Sequence, residues 1–395
     1  MQEVLTSAKE LFTYTRDLRR DIHQNPEIGF KEYRTAGIVA RELEKLSLPV
    51  KTGVAKTGVI AVLEGAQPGR TVLLRFDMDA LPIAEETGAP YASQNQGVMH
   101  ACGHDGHIAI GLAVARLLHA RRENLRGKFK FVFQPAEEGL GGAEAMVAEG
   151  VLEEPRPDVS LALHLWNIKP VGWIGVTAGP AMSASESFQL CISGKGGHGA
   201  APHLVVDPVV ASAHIVTALQ TIVSRNVNPL KSAVVSVTTI HGGDAHNVVP
   251  PAVEMSGTIR TFDPEIRETV LKRFEEIVTR VAESFSCQVK VTVKRITPEV
   301  INHPDVSAQV QKLVLQLLPD CTLDTTTQTM GSEDMAYMME SISGCYFFIG
   351  SANKEKGLDA PHHHPRFDFD EEVLPTGVAL MTAVALELSG STDGK

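Results

Sequence analysis

Among the 395 residues no apolar run reaches the roughly 18 needed to cross a membrane, which argues against a membrane role. The longest helical candidate, around Ile108 to Leu118, is broken by Gly111 and Arg116. The opening stretch carries Lys9, Glu10, Arg16, Asp17 and Arg19 and has no apolar core of a secretory signal, so none is expected. Basic clusters are missing as well: 36 Lys+Arg face 47 Asp+Glu, a formal charge of -11. Phosphate binding needs concentrated Lys and Arg, and the balance argues against a nucleic-acid partner. Cysteine is scarce and odd in number; five residues do not form a disulfide framework, and reduced thiols in the cytoplasm are the expectation. Internal repeats and low-complexity segments are absent. What is present is an apolar fraction of 43%, enough for a packed core, in a length that suits two or three domains.

Periodicity predicts an amphipathic helix over residues 3 to 23 and a second over Tyr33 to Leu46. Strands are expected at Gly58–Leu63 and Thr71–Arg75, a helix at His107–Ala120, and a strand at Lys128–Phe133 where Phe129, Phe131 and Phe133 alternate with other residues. A short helix at Gly141–Glu149 and a buried strand at Val159–Leu165 complete an α/β pattern with parallel elements. From about Ala184 the order becomes strand (Phe188–Ser193), helix (Pro208–Val223), strand (Ala233–Ile240), strand (Val253–Thr261), helix (Glu265–Ser284), strand (Gln288–Val293). That is the split βαβ arrangement. Helix, strand and helix return at Val306–Leu318, Cys345–Ile349 and Leu374–Leu388. The expected architecture is therefore an α/β domain with a mixed, largely parallel sheet, interrupted by a smaller α+β domain. Its boundaries fall at 1–183, 184–297 and 298–395.

Four stretches carry metal-competent side chains in loops or at strand ends, where α/β sheets bind ligands. In His100-Ala101-Cys102-Gly103-His104-Asp105-Gly106-His107, a thiol and an imidazole two residues apart share one face of an extended backbone. In Gln134-Pro135-Ala136-Glu137-Glu138-Gly139, two adjacent carboxylates can divide the work of metal ligand and general base. His164 lies near the end of an apolar strand, and His362, His363 and His364 form a loop tract. Each has a plain alternative: a buried thiol, acidic residues at a helix start, a hydrogen-bonded core histidine, exposed loop histidines. Together they form the Cys, His and Glu set that binds first-row transition metals, in numbers that suit two ions.

These stretches, with Leu74-Arg75-Phe76-Asp77-Met78-Asp79-Ala80-Leu81-Pro82, Gly194-Lys195-Gly196-Gly197-His198-Gly199-Ala200-Ala201-Pro202-His203 and Met330-Gly331-Ser332-Glu333-Asp334, resemble the aminoacylase-type metallopeptidases. The branch in question holds hippurate hydrolases, N-acyl-amino-acid amidohydrolases and auxin-conjugate hydrolases. The resemblance runs in order from about His23 to Leu380. It implies two divalent ions (Zn, Mn, Co or Ni) held by Cys102, His104, Glu138, His164 and His363, with Glu137 as general base and Asp79 orienting the site. His362 and His364 remain rivals of His363, because three consecutive histidines blur the register. The resemblance further implies that His198 stabilises the oxyanion, that Asn247 and Arg260 touch the substrate carboxylate, and that His203 lines the cleft. A guanidinium fork suits a carboxylate. The implied substrate is a small N-acyl amino acid, and the implied assembly a homodimer or higher homo-oligomer through the smaller domain. A dipeptidase or a deacetylase of a diaminopimelate or ornithine derivative is the nearest alternative. A silent metal-binding scaffold is the remote one. The segment His23-Gln24-Asn25-Pro26-Glu27 also recurs in that family and reads as a helix-ending turn without chemistry.

Overall fold

A computed structural model describes residues 2–390. In chain order its principal strands are β1 (Val50–Val54), β2 (Gly58–Glu64), β3 (Gln67–Asp77), β4 (Arg126–Gln134), β5 (Val159–Pro170) and β6 (Trp173–Gly175). There follow β7 (Ala184–Ser193), β8 (Ala233–His241), β9 (Ala252–Thr261) and β10 (Gln288–Thr297), then β11 (Thr322–Asp324) and β12 (Gly344–Ala352). Two compact units divide them. One holds the residues up to Ala181, Val300–Gln328 and those from Asp334 on; the other holds Met182–Glu299 and Thr329–Glu333.

The first unit is built on an eight-stranded sheet of order β1-β2-β4-β3-β5-β12-β6-β11. Its centre, β4-β3-β5-β12, is parallel throughout, and antiparallel pairs flank it at β1-β2, β2-β4 and β12-β6. Central parallel strands are covered on both faces, which is why Val159 to Leu165 is buried without alternation. The helix His104–Ala120 is buried almost along its whole length, as is Leu374–Ser389. The stretch Glu371–Ser389 is the one described helix long and apolar enough to span a membrane, in place of the Ile108–Leu118 candidate. It is mostly buried, its Val378, Leu380 and Val384 forming part of the sheet's core. The expected helix over residues 3–23 is two helices, Gln2–Glu10 and Phe12–His23, with a break at Leu11.

The second unit is a four-stranded antiparallel sheet of order β8-β9-β7-β10. The helices Pro208–Thr221 and Pro264–Ser284 contribute to a core around Phe188, Leu190, Ile215, Met255, Ile259 and Phe274. Both helices start on an aspartate that accepts backbone N–H groups, Asp207 and Asp263, followed by Pro at the first helical position. The fold class is thus the expected one: a mixed, largely parallel α/β sheet with a smaller α+β unit.

Candidate metal centre

Because β3, β4, β5 and β12 are mutually parallel, their carboxyl ends lie at one edge of the sheet, and the loops that leave them meet there. β3 ends on Asp77 and is followed by Asp79, β4 is followed by Glu137 and Glu138, β5 carries His164, and the loop after β12 carries His363. Cys102 lies at the turn into the helix His104–Ala120. Gly103 caps that helix at φ +90°, a left-handed backbone that glycine adopts without strain.

Cys102, His104 and His164 form one trio of donor atoms lying within 4.8 Å of one another, and Cys102, Glu138 and His363 form another. His104, Glu137 and Glu138 form a third. Cys102 Sγ lies 3.5 Å from His164 Nε2, and His363 Nε2 lies 3.3 Å from Glu138 Oε1. His104 Nε2 is 4.0 Å from both Glu137 Oε2 and Glu138 Oε1. The other ring nitrogens are held by the main chain: His104 Nδ1 donates to the Asp79 carbonyl at 2.9 Å and His164 Nδ1 to the Leu165 carbonyl at 2.7 Å. With Nδ1 so held, each ring presents Nε2 to the cluster, the nitrogen that would bind a metal once its proton is displaced.

Electrostatics ask for a cation. His104 Nε2 and Glu138 Oε1 are buried and have no hydrogen-bond partner, and orphaned buried polar atoms are costly. Burial disfavours the His104 imidazolium, but Asp77, Asp79 and Glu138 outweigh it and push the pKa to about 10. Burial also raises the Cys102 thiol far above its ordinary value, with Glu138, Glu137 and Asp77 adding to the effect. His164 is held neutral by burial and by the neighbouring His107 and His362. A thiol, imidazole lone pairs and a carboxylate turned on one another make sense around a metal ion, which supplies the missing charge and deprotonates the thiol. The donor set fits divalent transition ions.

Of the three consecutive histidines the structure brings His363 to the cluster. Its backbone is left-handed, φ +64°, and its N–H donates to the Ala101 carbonyl at 2.8 Å. His362 instead lies over Trp166 and holds the Leu165 carbonyl through Nε2 at 2.9 Å. His364 Nδ1 accepts from the Arg366 N–H. Asp79 Oδ2 accepts the Glu138 N–H at 3.0 Å, so this one residue steers both His104 and Glu138.

Several supporting residues were not singled out from the sequence. Asp77 Oδ1 pairs with His107 Nδ1 at 2.6 Å, and His107 Nε2 accepts the Leu165 N–H. Both nitrogens are engaged, which makes His107 a support for β5 rather than a further ligand. Two-residue spacing from Asp79 on the same strand end was the available signal. Glu32, buried by the fold, accepts the N–H of Ala136, whose φ is +55°, immediately before Glu137. Asp334 accepts from Gln134 Nε2 and the Ala143 N–H, bracketing the same loop.

In the second unit His198 pairs with Val248 across a short antiparallel ladder, and the Gly199 N–H donates to the Asn247 carbonyl. The structure thus brings His198 and Asn247 together. His203 sits on a one-turn helix, Pro202–Leu204, and Arg260 near the end of β9, with Nη1 3.5 Å from Ser332 Oγ.

A model of peptidase family M20/M25/M40 matches residues 73–387. Thermostable carboxypeptidase 2 of Saccharolobus solfataricus is 36% identical over 394 residues, 98% of this chain and 99% of that protein. N-acetyl-L-cysteine deacetylase of Bacillus subtilis is 39% identical over 361 residues, 90% of this chain and 84% of that protein. Among solved structures, the Bacillus subtilis YXEP protein, a dinuclear metal binding peptidase from the M20 family, matches with a TM-score of 0.85 at 33% identity, over 97% of this chain and 100% of that one.

Proposed function

The chain belongs to peptidase family M20/M25/M40 and is a metal-dependent hydrolase, and on that premise we propose that it cleaves the amide bond of N-acyl amino acids to a carboxylic acid and a free amino acid. The observation that carries this reading is the pair of donor trios sharing Cys102, with Glu137 Oε2 4.0 Å from His104 Nε2. Cys102, His104, Glu138, His164 and His363 would hold two divalent ions. The thiolate favours softer ones such as Zn, while the imidazoles and carboxylate suit Mn, Co or Ni as well. Ions bound there would polarise the scissile carbonyl and make water acidic enough to lose a proton near neutral pH. Glu137 takes that proton and returns it to the leaving nitrogen. Asp79 holds His104 and Glu138 in register through their N–H groups.

The second unit is assigned substrate recognition. His198 Nδ1 accepts the Ala200 N–H at 3.0 Å, which leaves the proton of the neutral ring on Nε2, a donor suited to an oxyanion. Arg260 is half-buried, and burial lowers its pKa from the usual value. Among the described residues no carboxylate pairs with it, so it is open to the substrate carboxylate together with Asn247. His203 completes the set. Exposed Val209, Val210 and Val223 support a homodimer or higher homo-oligomer through this unit. Five free cysteines support a reducing compartment, the cytoplasm.

The carboxypeptidase relative favours a second reading, since a peptide's C-terminal residue presents the same carboxylate beside the same amide. Amine release from N-acetyl, N-benzoyl and indole-acyl amino acids, compared with dipeptides at equal concentration, decides between them. Preference for the acyl substrates supports the proposal; a preference for dipeptides overturns it.

A further inference from the structure

Behind the turn that carries Cys102 and His104 lies a second buried cluster. It is centred on Arg19 of the helix Phe12–His23, whose side chain is fully buried. Arg19 Nε donates to Asp105 Oδ2 at 2.6 Å, Nη2 to Asp368 Oδ1 at 2.8 Å and Nη1 to Glu371 Oε1 at 3.2 Å. Its guanidinium carbon lies over two rings, 4.4 Å from the Phe369 centroid and 4.9 Å from that of Tyr91. His23 adds a bond from Nδ1 to Asp105 Oδ2 at 2.7 Å. Asp105 directly follows His104. Asp368 and Phe369 lie five and six residues beyond His363. The first turn of the helix that begins at His104 also packs close against the second loop, since a Cβ at Gly106 would stand 2.8 Å from Phe369 Cζ.

We propose that Arg19 is a positioning residue for the metal centre, clamping the turn that presents Cys102 and His104 to the loop that presents His363. The inference rests on the reading of those three side chains as metal ligands. It assigns chemistry to the helix end at His23, whose sequence alone suggested only a turn. A guanidinium is needed there for geometric reasons. Its planar fork spreads the N–H donors so that three carboxylates are met at once, and an ammonium is a point charge without that fork. Residues that orient ligands typically change metal affinity by about 10–100-fold when altered.

The test strips the full-length chain of metal with a chelator and titrates Co²⁺, following the visible absorbance of bound cobalt and thermal unfolding. Arg19→Lys should unfold cooperatively and bind Co²⁺ about 10–100-fold more weakly, with an altered spectrum. Arg116→Lys is the control. Arg116 pairs with Glu42 at 2.7 Å and lies over Tyr14, toward the other end of the helix that begins at His104. That variant should lose stability and keep parental cobalt affinity. Unchanged affinity and spectrum in Arg19→Lys, or equal weakening in Arg116→Lys, overturns the proposal. Should Arg19→Lys not fold cooperatively, Glu371→Gln decides: weakening of about 10-fold supports the clamp and parental affinity overturns it. A parent chain that binds no Co²⁺ overturns the metal reading itself, and the inference with it.

Discussion

Two carboxylates of the first unit, Asp105 and Glu138, flank the same histidine and meet opposite treatment. Asp105 is fully buried and compensated: Arg19 and His23 both reach its Oδ2. Burial would raise its pKa, but Arg19 and His23 outweigh that and hold it far below the usual carboxylate range. Glu138 is mostly buried and no Lys or Arg pairs with it among the described residues; its Oε1 faces imidazoles instead, His363 Nε2 at 3.3 Å and His104 Nε2 at 4.0 Å. One anion has been given its cation by the fold. The other is met only by histidines, His363 and His104, whose nitrogens can themselves bind a metal. That contrast separates a buried charge that holds structure from one that does chemistry.

Removing each charge in turn sharpens the contrast. The largest effect is expected for Glu137→Gln, which keeps the donor set but loses the base: kcat should fall by about 10³-fold or more with bound metal per chain unchanged. A near-parental rate in that variant would contradict the assigned base. Glu138→Gln should cost metal, with affinity falling by about 100-fold, while the metal-free chain loses less stability than in Asp105→Asn, because Glu138 is partnered by imidazoles and not by a guanidinium. Asp105→Asn should destabilise the metal-free chain by about 3 kcal/mol, since Arg19 and His23 lose their shared partner. If both variants shift the metal-free melting temperature alike, the contrast fails. The smallest effect is expected outside this unit: Arg260→Lys should raise KM by about 10-fold for an N-acyl amino acid and leave the corresponding N-acyl amine, which has no carboxylate, unaffected.

Much of the framework could be read from periodicity. The β5 run and the alternating phenylalanines of β4 announce themselves because burial on defined faces leaves a pattern in the residues. β1 escaped notice because it is an edge strand with three consecutive exposed residues, and β6 and β11 because three residues are too few to show a period. The break at Leu11 is silent since Val4, Ala8 and Ile22 join the same core and keep one apolar stripe running across it. The Cys-x-His and Glu-Glu pairs are local, and local spacing carries chemistry. The Arg19 cluster is not local: its partners lie 86, 349 and 352 residues away, and only the folded chain brings them together. The choice among three histidines was equally closed to sequence, because alternation has no meaning in a loop where His363 adopts a left-handed backbone.

The most direct measurement is a metal titration of the chelator-treated chain that follows bound ions and amine release from an N-acetyl amino acid in the same sample. The two-ion reading predicts that the metal-free chain is inactive and that activity saturates near two ions per chain. Full activity without metal, or saturation at a single ion with Cys102→Ala unimpaired, would contradict it.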